Sequence, residues 1–297
     1  MRVGIIGGTG FVGNYLVEAL LREGHDVRAL VRPGSDGKLV GDAVAVVAGD
    51  LGDQEALDDL VTDCDAVIYN VGLLREFPRR GITFESTQYQ GVVDTVAAMQ
   101  RASVRRLLLM SAIGVKDPGT KYQSTKYRAE QHALSSGLDV TVLRPSVIFG
   151  DPRGTMEFAT QLYRDMVRPP LPAVAFPGVQ MSPVAAKDVA DAFIATLSRS
   201  DAIGKTYELA GPEVLDWRTM IERISAAIGK NKTMLPMPLW VMRVGATLFD
   251  WLPFYPVTRD QLTMLAEGNT APPEGLRELI GRDPEAMTPA ALSYLAR

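Results

Sequence analysis

Apolar residues come in two rhythms along the first half of the chain. Short, mostly apolar runs at 3–6, 26–31, 43–47, 66–71, 106–110 and 140–143 alternate with longer stretches in which apolar residues recur every three or four positions. The short runs predict buried strands, because a strand covered on both faces has no polar side. The longer stretches predict helices at 11–22, 53–61, 84–101 and 121–135. On the first helix Val12, Tyr15, Leu16, Ala19 and Leu20 share a face, and Gly24 closes it. On the third, Val92, Val93, Val96 and Ala97 are expected to point inward. Strands alternating with helices at this spacing predict an α/β fold, a doubly wound parallel sheet with right-handed crossovers. Ligands of such sheets bind in a crevice at the carboxyl ends of the strands.

Past residue 150 the alternation loosens. Pro169-Pro170-Leu171-Pro172 and Pro177-Gly178 punctuate a loop-rich region, with a helix expected at 187–198, a strand at 206–210 and a helix at 216–228 capped by Asp216. Residues 236–253 then carry Trp240, Val241, Val244, Leu248, Phe249 and Trp251 with few charges. Thr258-Arg259-Asp260-Gln261 reads as a capping-box start, and Thr288-Pro289 as an N-cap with proline at the first helical position. The expected organisation is a core at 1–150, a substrate-side region at 151–235 that completes the core, and a smaller helical C-terminal extension at 236–297.

The first strand runs straight into Gly7-Gly8-Thr9-Gly10-Phe11-Val12-Gly13. In this strand–turn–helix setting a glycine at every third position has a physical purpose. Gly7 turns the chain sharply, Gly10 leaves bare backbone beside a pyrophosphate, and Gly13 lets the helix pack close to the strand. The helix then aims free N–H groups and its positive dipole end at the phosphates. A dinucleotide site follows, and residues 1–150 become its core.

Composition narrows the field. The chain has 297 residues, 46% hydrophobic and 22% charged, with a net charge of −4. No Lys/Arg block supports nucleic-acid binding. One cysteine, Cys64, excludes an intrachain disulfide and is expected as buried filler. His25 and His132 stand outside any metal-ligand spacing, so no metal site is assigned. The glycine turn interrupts the apolar run a signal peptide would need, and no apolar run is long enough to span a bilayer. A cytoplasmic protein is expected. Its 236–253 stretch either covers the sheet or another copy, or makes peripheral contact with a membrane or membrane complex.

The second strand ends in Arg32, where NAD-selective folds place a carboxylate on the ribose hydroxyls. A planar guanidinium suits a 2′-phosphate, so NADP(H) is favoured over NAD(H). Asp50 and Leu51, after the third strand, are placed to contact the adenine. Val71 and Gly72, after the fourth, give the cofactor close backbone approach. Tyr122 and Lys126 stand at i and i+4, on one face of a helix. An ammonium there lowers the tyrosine pKa and makes a general acid/base beside a nicotinamide. Tyr127 and Lys121 flank the pair, but only Tyr122 and Lys126 have the spacing. Ser111, at the end of the fifth strand, is placed to polarise a substrate carbonyl. Phe158, Leu162 and Phe176 are read as an apolar lining for a small, largely uncharged substrate.

These motifs resemble the short-chain dehydrogenase/reductase superfamily in its extended or atypical branch, the NAD-dependent epimerase/dehydratase-like proteins with a Rossmann fold. The resemblance rests on the glycine turn, Gly49-Asp50-Leu51, Tyr122 with Lys126, Arg144-Pro145-Ser146-Val147-Ile148-Phe149-Gly150, residues 184–190 around Asp188, and Tyr207-Glu208-Leu209-Ala210-Gly211-Pro212-Glu213. The last run and the 258–261 tail look most like relatives of the nucleotide-binding accessory subunit of respiratory complex I. The resemblance implies that Gly7, Gly10 and Gly13 cradle the pyrophosphate while Thr9, Gly10, Phe11 and Val12 supply backbone donors. It implies Pro145, Ser146 and Val147 along the nicotinamide pocket, Tyr122 as acid/base, and Lys126 as its partner and ribose ligand. The departure is at Ser111, which Ala112-Ile113-Gly114 follow where extended members carry further hydroxyls. Three functions fit: an NADP-dependent oxidoreductase; a non-catalytic nucleotide-binding subunit, assembly factor or redox sensor of a membrane complex; and a nucleotide-sugar epimerase or dehydratase.

Overall fold

A computed structural model describes residues 1–41, 43–73, 75–242 and 259–297. Val244, Leu248, Phe249, Trp251 and Thr258 therefore lie outside the described residues, as does most of the 236–253 stretch. The chain falls into two compact units, Met1–Pro145 with Lys187–Glu208, and Ser146–Ala186 with Leu209–Arg297. The first unit thus takes residues 187–208 from beyond the residue-150 boundary of the sequence reading.

In the first unit β1 (Arg2–Ile6), β2 (Asp26–Val31), β3 (Val44–Ala48), β4 (Ala66–Tyr69), β5 (Arg106–Met110), β6 (Asp139–Pro145) and β11 (Thr206–Leu209) form one sheet in the order β3-β2-β1-β4-β5-β6-β11. The pairs from β3 through β6 are parallel, with Ile6 of β1 opposite both Leu30 and Tyr69. This is the doubly wound order with its switch point between β1 and β4. The helices are α1 (Phe11–Arg22), α2 (Gln54–Val61), α3 (Gly91–Arg101), α4 (Lys121–Ser135) and α6 (Ala186–Leu197). Leu57, Leu60, Val92, Val96, Met99, Ala129 and Ala133 pack on alternate strand residues Val67, Tyr69, Leu107, Leu109, Val140 and Val142. The two-residue repeat of the strands and the three-to-four-residue repeat of the helices meet at this layer. Each large aliphatic side chain buried there contributes roughly 1.5–3 kcal/mol.

Two faces differ from expectation. In α1 the buried set is Gly13, Asn14, Leu16, Val17, Ala19 and Leu20, while Val12 and Tyr15 are half-buried. The helix expected at 84–101 is a π-helical turn, Glu85–Gln90, followed by α3. Val92, Thr95, Val96 and Met99 make the inward face, and Val93 and Ala97 are half-buried. That face keeps the i, i+3, i+4, i+7 spacing of a regular helix, which the expected pairs of adjacent residues do not.

Long-range side-chain bonds also bind the first unit. Arg106 on β5 is buried and donates to the carbonyls of Leu197, Thr196 and Asp139 and to Thr141 Oγ1, at 3.1, 2.6, 2.7 and 2.8 Å. It joins the C-terminus of α6 to the sheet, where a cation also meets the negative helix end. Cys64 is buried, and burial raises its thiol pKa. That is the environment of an inert structural cysteine.

The second unit contains β7 (Ile148–Phe149), β8 (Ala173–Ala175), β9 (Gln180–Met181), β10 (Val184–Ala185), β12 (Leu215–Asp216) and β13 (Met234–Pro236), paired β7–β10, β8–β13 and β9–β12. Its helices include α5 (Phe158–Leu162) and α7 (Trp217–Ala227), with further helices at Arg259–Glu267 and Glu274–Ile280. Asp216 caps α7, its Oδ1 accepting from Thr219 N–H at 2.7 Å. Thr288 Oγ1 accepts from Ala291 N–H at 3.2 Å, but a 3₁₀ turn at Ser293–Ala296 follows in place of an α-helix. Among the described residues, no helix is long and apolar enough to cross a membrane.

Candidate functional site

Strand order brings the expected residues of the first unit to one edge. The glycine turn, Arg32, Asp50, Gly72 and Ser111 follow the carboxyl ends of β1, β2, β3, β4 and β5, which are neighbours in the order β3-β2-β1-β4-β5.

The turn after β1 is built around missing side chains. Gly7 has a φ of +87°, and a Cβ there would lie 2.2 Å from the carbonyl oxygen of Asn70. A Cβ on Gly13 would lie 2.0 Å from the carbonyl oxygen of Gly7. Gly7 O accepts from Gly10 N–H at 3.2 Å and from Asn70 Nδ2 at 3.3 Å. Gly10 is the N-cap of α1, with no side-chain cap and no acidic residue in the first turn. Thr9, Phe11 and Val12 therefore line an uncapped helix start whose polarity suits a phosphate.

Arg32 is exposed directly after β2, and its carbonyl accepts from Ser35 N–H at 3.0 Å. Among the described residues no hydrogen bond or ion pair occupies its guanidinium. A short 3₁₀ turn at Asp36–Lys38 follows. Asp50 is exposed, and its Oδ1 accepts from Gly52 N–H at 2.9 Å, closing the turn ahead of α2. Leu51 packs against the sheet–helix core. At Gly72 a Cβ would meet nothing within 4 Å, so this glycine borders open space where Gly7 and Gly13 do not.

A small pocket lined by Tyr69, Val71, Gln88, Met110, Ser111 and Lys126 lies at the ends of β4 and β5. Lys126 is only 5% exposed. Its Nζ donates to the carbonyls of Met110 at 3.1 Å and Val71 at 3.4 Å. Burial pushes its pKa down to about 8, with Glu130 acting in the opposite direction. Ser111 is 4% exposed, and its buried Oγ has no hydrogen-bond partner among the described residues. The helix that carries Lys126 starts at a capping box, Thr120 with Gln123. Tyr122 follows it, half-buried, its ring edge-on to Phe84 with 5.8 Å between centroids. Lys126 Nζ lies 5.9 Å from the Tyr122 ring centre.

The tuning of Tyr122 runs opposite to the expectation. Burial raises its pKa, and the lowering by an ammonium does not appear. The ammonium is spent on two backbone carbonyls and lies against the ring, while the phenol loses solvent.

Gln88, on the π-helical turn, was not singled out from sequence. It is buried, donates from Nε2 to Leu73 O at 2.9 Å and accepts from Thr125 Oγ1 at 3.2 Å. The ion pair between half-buried Arg144 and buried Glu130 was also missed, although Arg144 opens the Arg144–Gly150 motif. For Gln88 the available signal was a polar residue at helical spacing between Phe84 and Val92.

The remaining expected residues divide between the units. Pro145 ends β6, and its carbonyl accepts from Ile113 N–H at 3.0 Å. Ser146 and Val147 belong to the second unit, where Ser146 Oγ donates to Asn269 O at 2.9 Å and Val147 O accepts from Val184 N–H at 3.0 Å. Leu162 and Phe176 lie inside that unit's core. Phe176 packs edge-on to Trp217 at 5.1 Å between centroids, so core packing accounts for both residues. Phe158 also packs edge-on to Trp217, with 6.3 Å between centroids, and stays half-buried. Among the described residues no cluster of three or more His, Cys, Asp or Glu could hold a metal ion.

A family model described as NAD(P)H-binding matches residues 7–200. Subunit 9 of the mitochondrial NADH dehydrogenase (ubiquinone) 1 alpha subcomplex of Arabidopsis thaliana is 26% identical over 259 residues. The match covers 84% of this chain and 63% of that subunit, less than two thirds of its length. A putative dihydroflavonol 4-reductase of Synechocystis is 27% identical over 302 residues, covering 92% of this chain and 83% of the relative. Among solved structures, an epimerase of Methanothermobacter thermautotrophicus superposes with a TM-score of 0.77 at 18% identity, covering 100% of this chain and 91% of the other. That likeness is one of fold.

Proposed function

This chain belongs to the NAD(P)H-binding family, and we propose that it is an NADP(H)-dependent oxidoreductase. Its substrate would be small and largely uncharged, with a carbonyl or alcohol as the reacting group. The reading rests above all on the pocket at the ends of β4 and β5 that Lys126 and Ser111 both line, where the buried Ser111 Oγ has no partner among the described residues. Gly7, Gly10 and Gly13 would hold the pyrophosphate against the uncapped start of α1, and Arg32 would pair with the 2′-phosphate. Asp50 and Leu51 would border the adenine. Val71, Gly72 and Pro145 would border the nicotinamide.

A nicotinamide held there would supply or accept the hydride. The chain's own residues handle position and proton. Lys126 would hold the ribose hydroxyls while its other bonds fix it to Met110 O and Val71 O. Ser111 Oγ would donate to the substrate carbonyl, which gives a buried hydroxyl the partner it lacks. Tyr122 would give its phenolic proton to the developing alkoxide. Burial raises the phenol's pKa further above neutral, so Tyr122 starts with the proton that this step gives away. Turnover with simple carbonyls tests the acid/base role, since Tyr122→Phe should lose about a hundredfold or more. A Tyr122→Phe protein with full turnover on an identified substrate ends this reading. Arg32→Gln should weaken NADPH about tenfold or more and leave NADH unchanged. Equal affinity of the unaltered protein for both removes the role of Arg32.

A second reading is a nucleotide-binding subunit or assembly protein of a membrane complex. It is favoured by the likeness to a complex I subunit and by exposed Leu235, Trp240 and Val241 beside the 243–258 segment. Fractionation tests it. Protein found wholly uncomplexed in cell extract, and oxidising NADPH with simple carbonyls, counts against it.

A further inference from the structure

Two segments of the second unit, before and along β8 and before and after β13, run side by side. The strands pair in parallel, with Val174 opposite Leu235. Ala173 N–H donates to Thr233 O and Met237 N–H to Ala175 O, each at 2.8 Å. Half-buried Lys232 ties the approach to β8 to the same strand, its Nζ donating to Val167 O at 3.0 Å and to Pro169 O. Met234, Leu239 and Met242 pack against the unit's core. Their neighbours turn outward: Leu171 is 72% exposed, Trp240 66% and Leu235 56%, and Val241 is exposed beside Trp240. One exposed apolar residue is ordinary, but four on two joined segments make a patch, and a patch marks a contact.

Charge around the patch is one-sided. Asp and Glu outnumber Lys and Arg in the whole chain, 35 to 31. Yet no carboxylate occurs in residues 166–187 or 223–242. Arg168 and Lys230 are exposed there, and among the described residues no carboxylate pairs with either. Pro169, Pro170 and Pro172 stiffen the loop that presents Leu171, so little order is lost when it docks.

We infer that this face docks on an anionic lipid bilayer, with Leu171, Leu235, Trp240 and Val241 entering the headgroup region and Arg168 and Lys230 meeting lipid phosphates. An apolar surface that carries a tryptophan, is edged by cations and lacks carboxylates is complementary to such a membrane. Against a second copy of itself the same face would bring two sets of cations together with no carboxylate to pair them. Docking is separate from the chemistry of the nucleotide site and holds whether or not that site turns over.

The test is sedimentation of the full chain with vesicles of phosphatidylcholine alone, or of phosphatidylcholine with about one third phosphatidylglycerol. The chain should sediment with the anionic vesicles far more than with the neutral ones, and less so as salt rises. Arg168→Glu with Lys230→Glu should weaken binding to the anionic vesicles about tenfold or more, and so should Trp240→Ser. These side chains are exposed and outside the nucleotide site, so both variants should melt and bind NADPH as the unaltered chain does. Leu171→Ser, on the other segment, should weaken vesicle binding in the same direction. Equal binding to both kinds of vesicle, binding to neither, or full binding by the charge-reversed or Trp240→Ser protein overturns the inference. A dimer that Trp240→Ser splits, with no vesicle binding, overturns it in favour of a contact between copies.

Discussion

Ser111 places a hydroxyl in the protein interior with no described partner. An unsatisfied buried polar group costs about 1–3 kcal/mol, so removing it should not destabilise the free protein. Ser111→Ala should therefore melt within about 2 °C of the unaltered chain or above it, while turnover falls about tenfold or more. A melting temperature lowered by more than about 5 °C would show that the hydroxyl carries a structural bond. Lys126 allows a second measurement. Its pKa falls from 10.5 to about 8 on folding, chiefly through burial. Between those values the unfolded chain binds more protons than the folded one, so stability rises with pH across that window. Below pH 8 the buried charge costs roughly 3 kcal/mol, and above 10.5 the cost is gone. Urea unfolding at pH 7, 9 and 10.5 should show a rise that Lys126→Met lacks, and a parallel pH dependence in both proteins would refute it. The Tyr122–Lys126 pairing was legible because helical spacing is local. The direction of the tyrosine shift was not, because Phe84 and the strand ends that bury the phenol and engage the ammonium come from distant positions.

At the scale of elements, the glycine turn separates packing from ligand approach. A Cβ on Gly13 would overlap the backbone of Gly7 and Gly8, so Gly13→Ala must push α1 off β1. It should lose both stability and NADPH binding. A Cβ on Gly72 meets nothing within 4 Å. Gly72→Ala should melt as the unaltered protein does, and any loss of NADPH affinity then measures how closely the cofactor passes. Calorimetric melts with and without NADPH separate the two variants, and a Gly72→Ala protein with a lowered ligand-free melt would contradict the geometry. Most of these elements could be read from sequence, because strands of four to seven residues and amphipathic helices carry their own repeat. The π-helical turn could not. Its added residue sits within an unbroken helical pattern, and only the tertiary bonds of Gln88 and the close approach of Gly91 to Tyr69 mark it.

At the scale of the whole chain, the first unit is discontinuous. It contains Met1–Pro145 and then Lys187–Glu208, which supply most of α6 and of the edge strand β11. The sequence reading has residues 151–235 complete the core, but local rhythm cannot tell which later helix and strand rejoin the sheet. The bonds that bring them back are specific. Arg106 gives two donors to the last carbonyls of α6, and Val142 N–H on β6 donates to Lys205 O at 3.0 Å. A chain ending at residue 150 would leave the Arg106 guanidinium without its Leu197 and Thr196 acceptors and expose the edge of β6. Losing partners to a buried charge costs about 3–5 kcal/mol, a large part of a domain's total stability. Residues 1–150 alone should therefore lack a cooperative thermal transition by circular dichroism. Residues 1–145 joined by a short Gly/Ser linker to 187–209 should regain it. In the joined chain Arg106→Ala should remove the transition again. A sharp melt from residues 1–150 alone would mean that β6 can serve as the sheet's edge and that Arg106 has other acceptors.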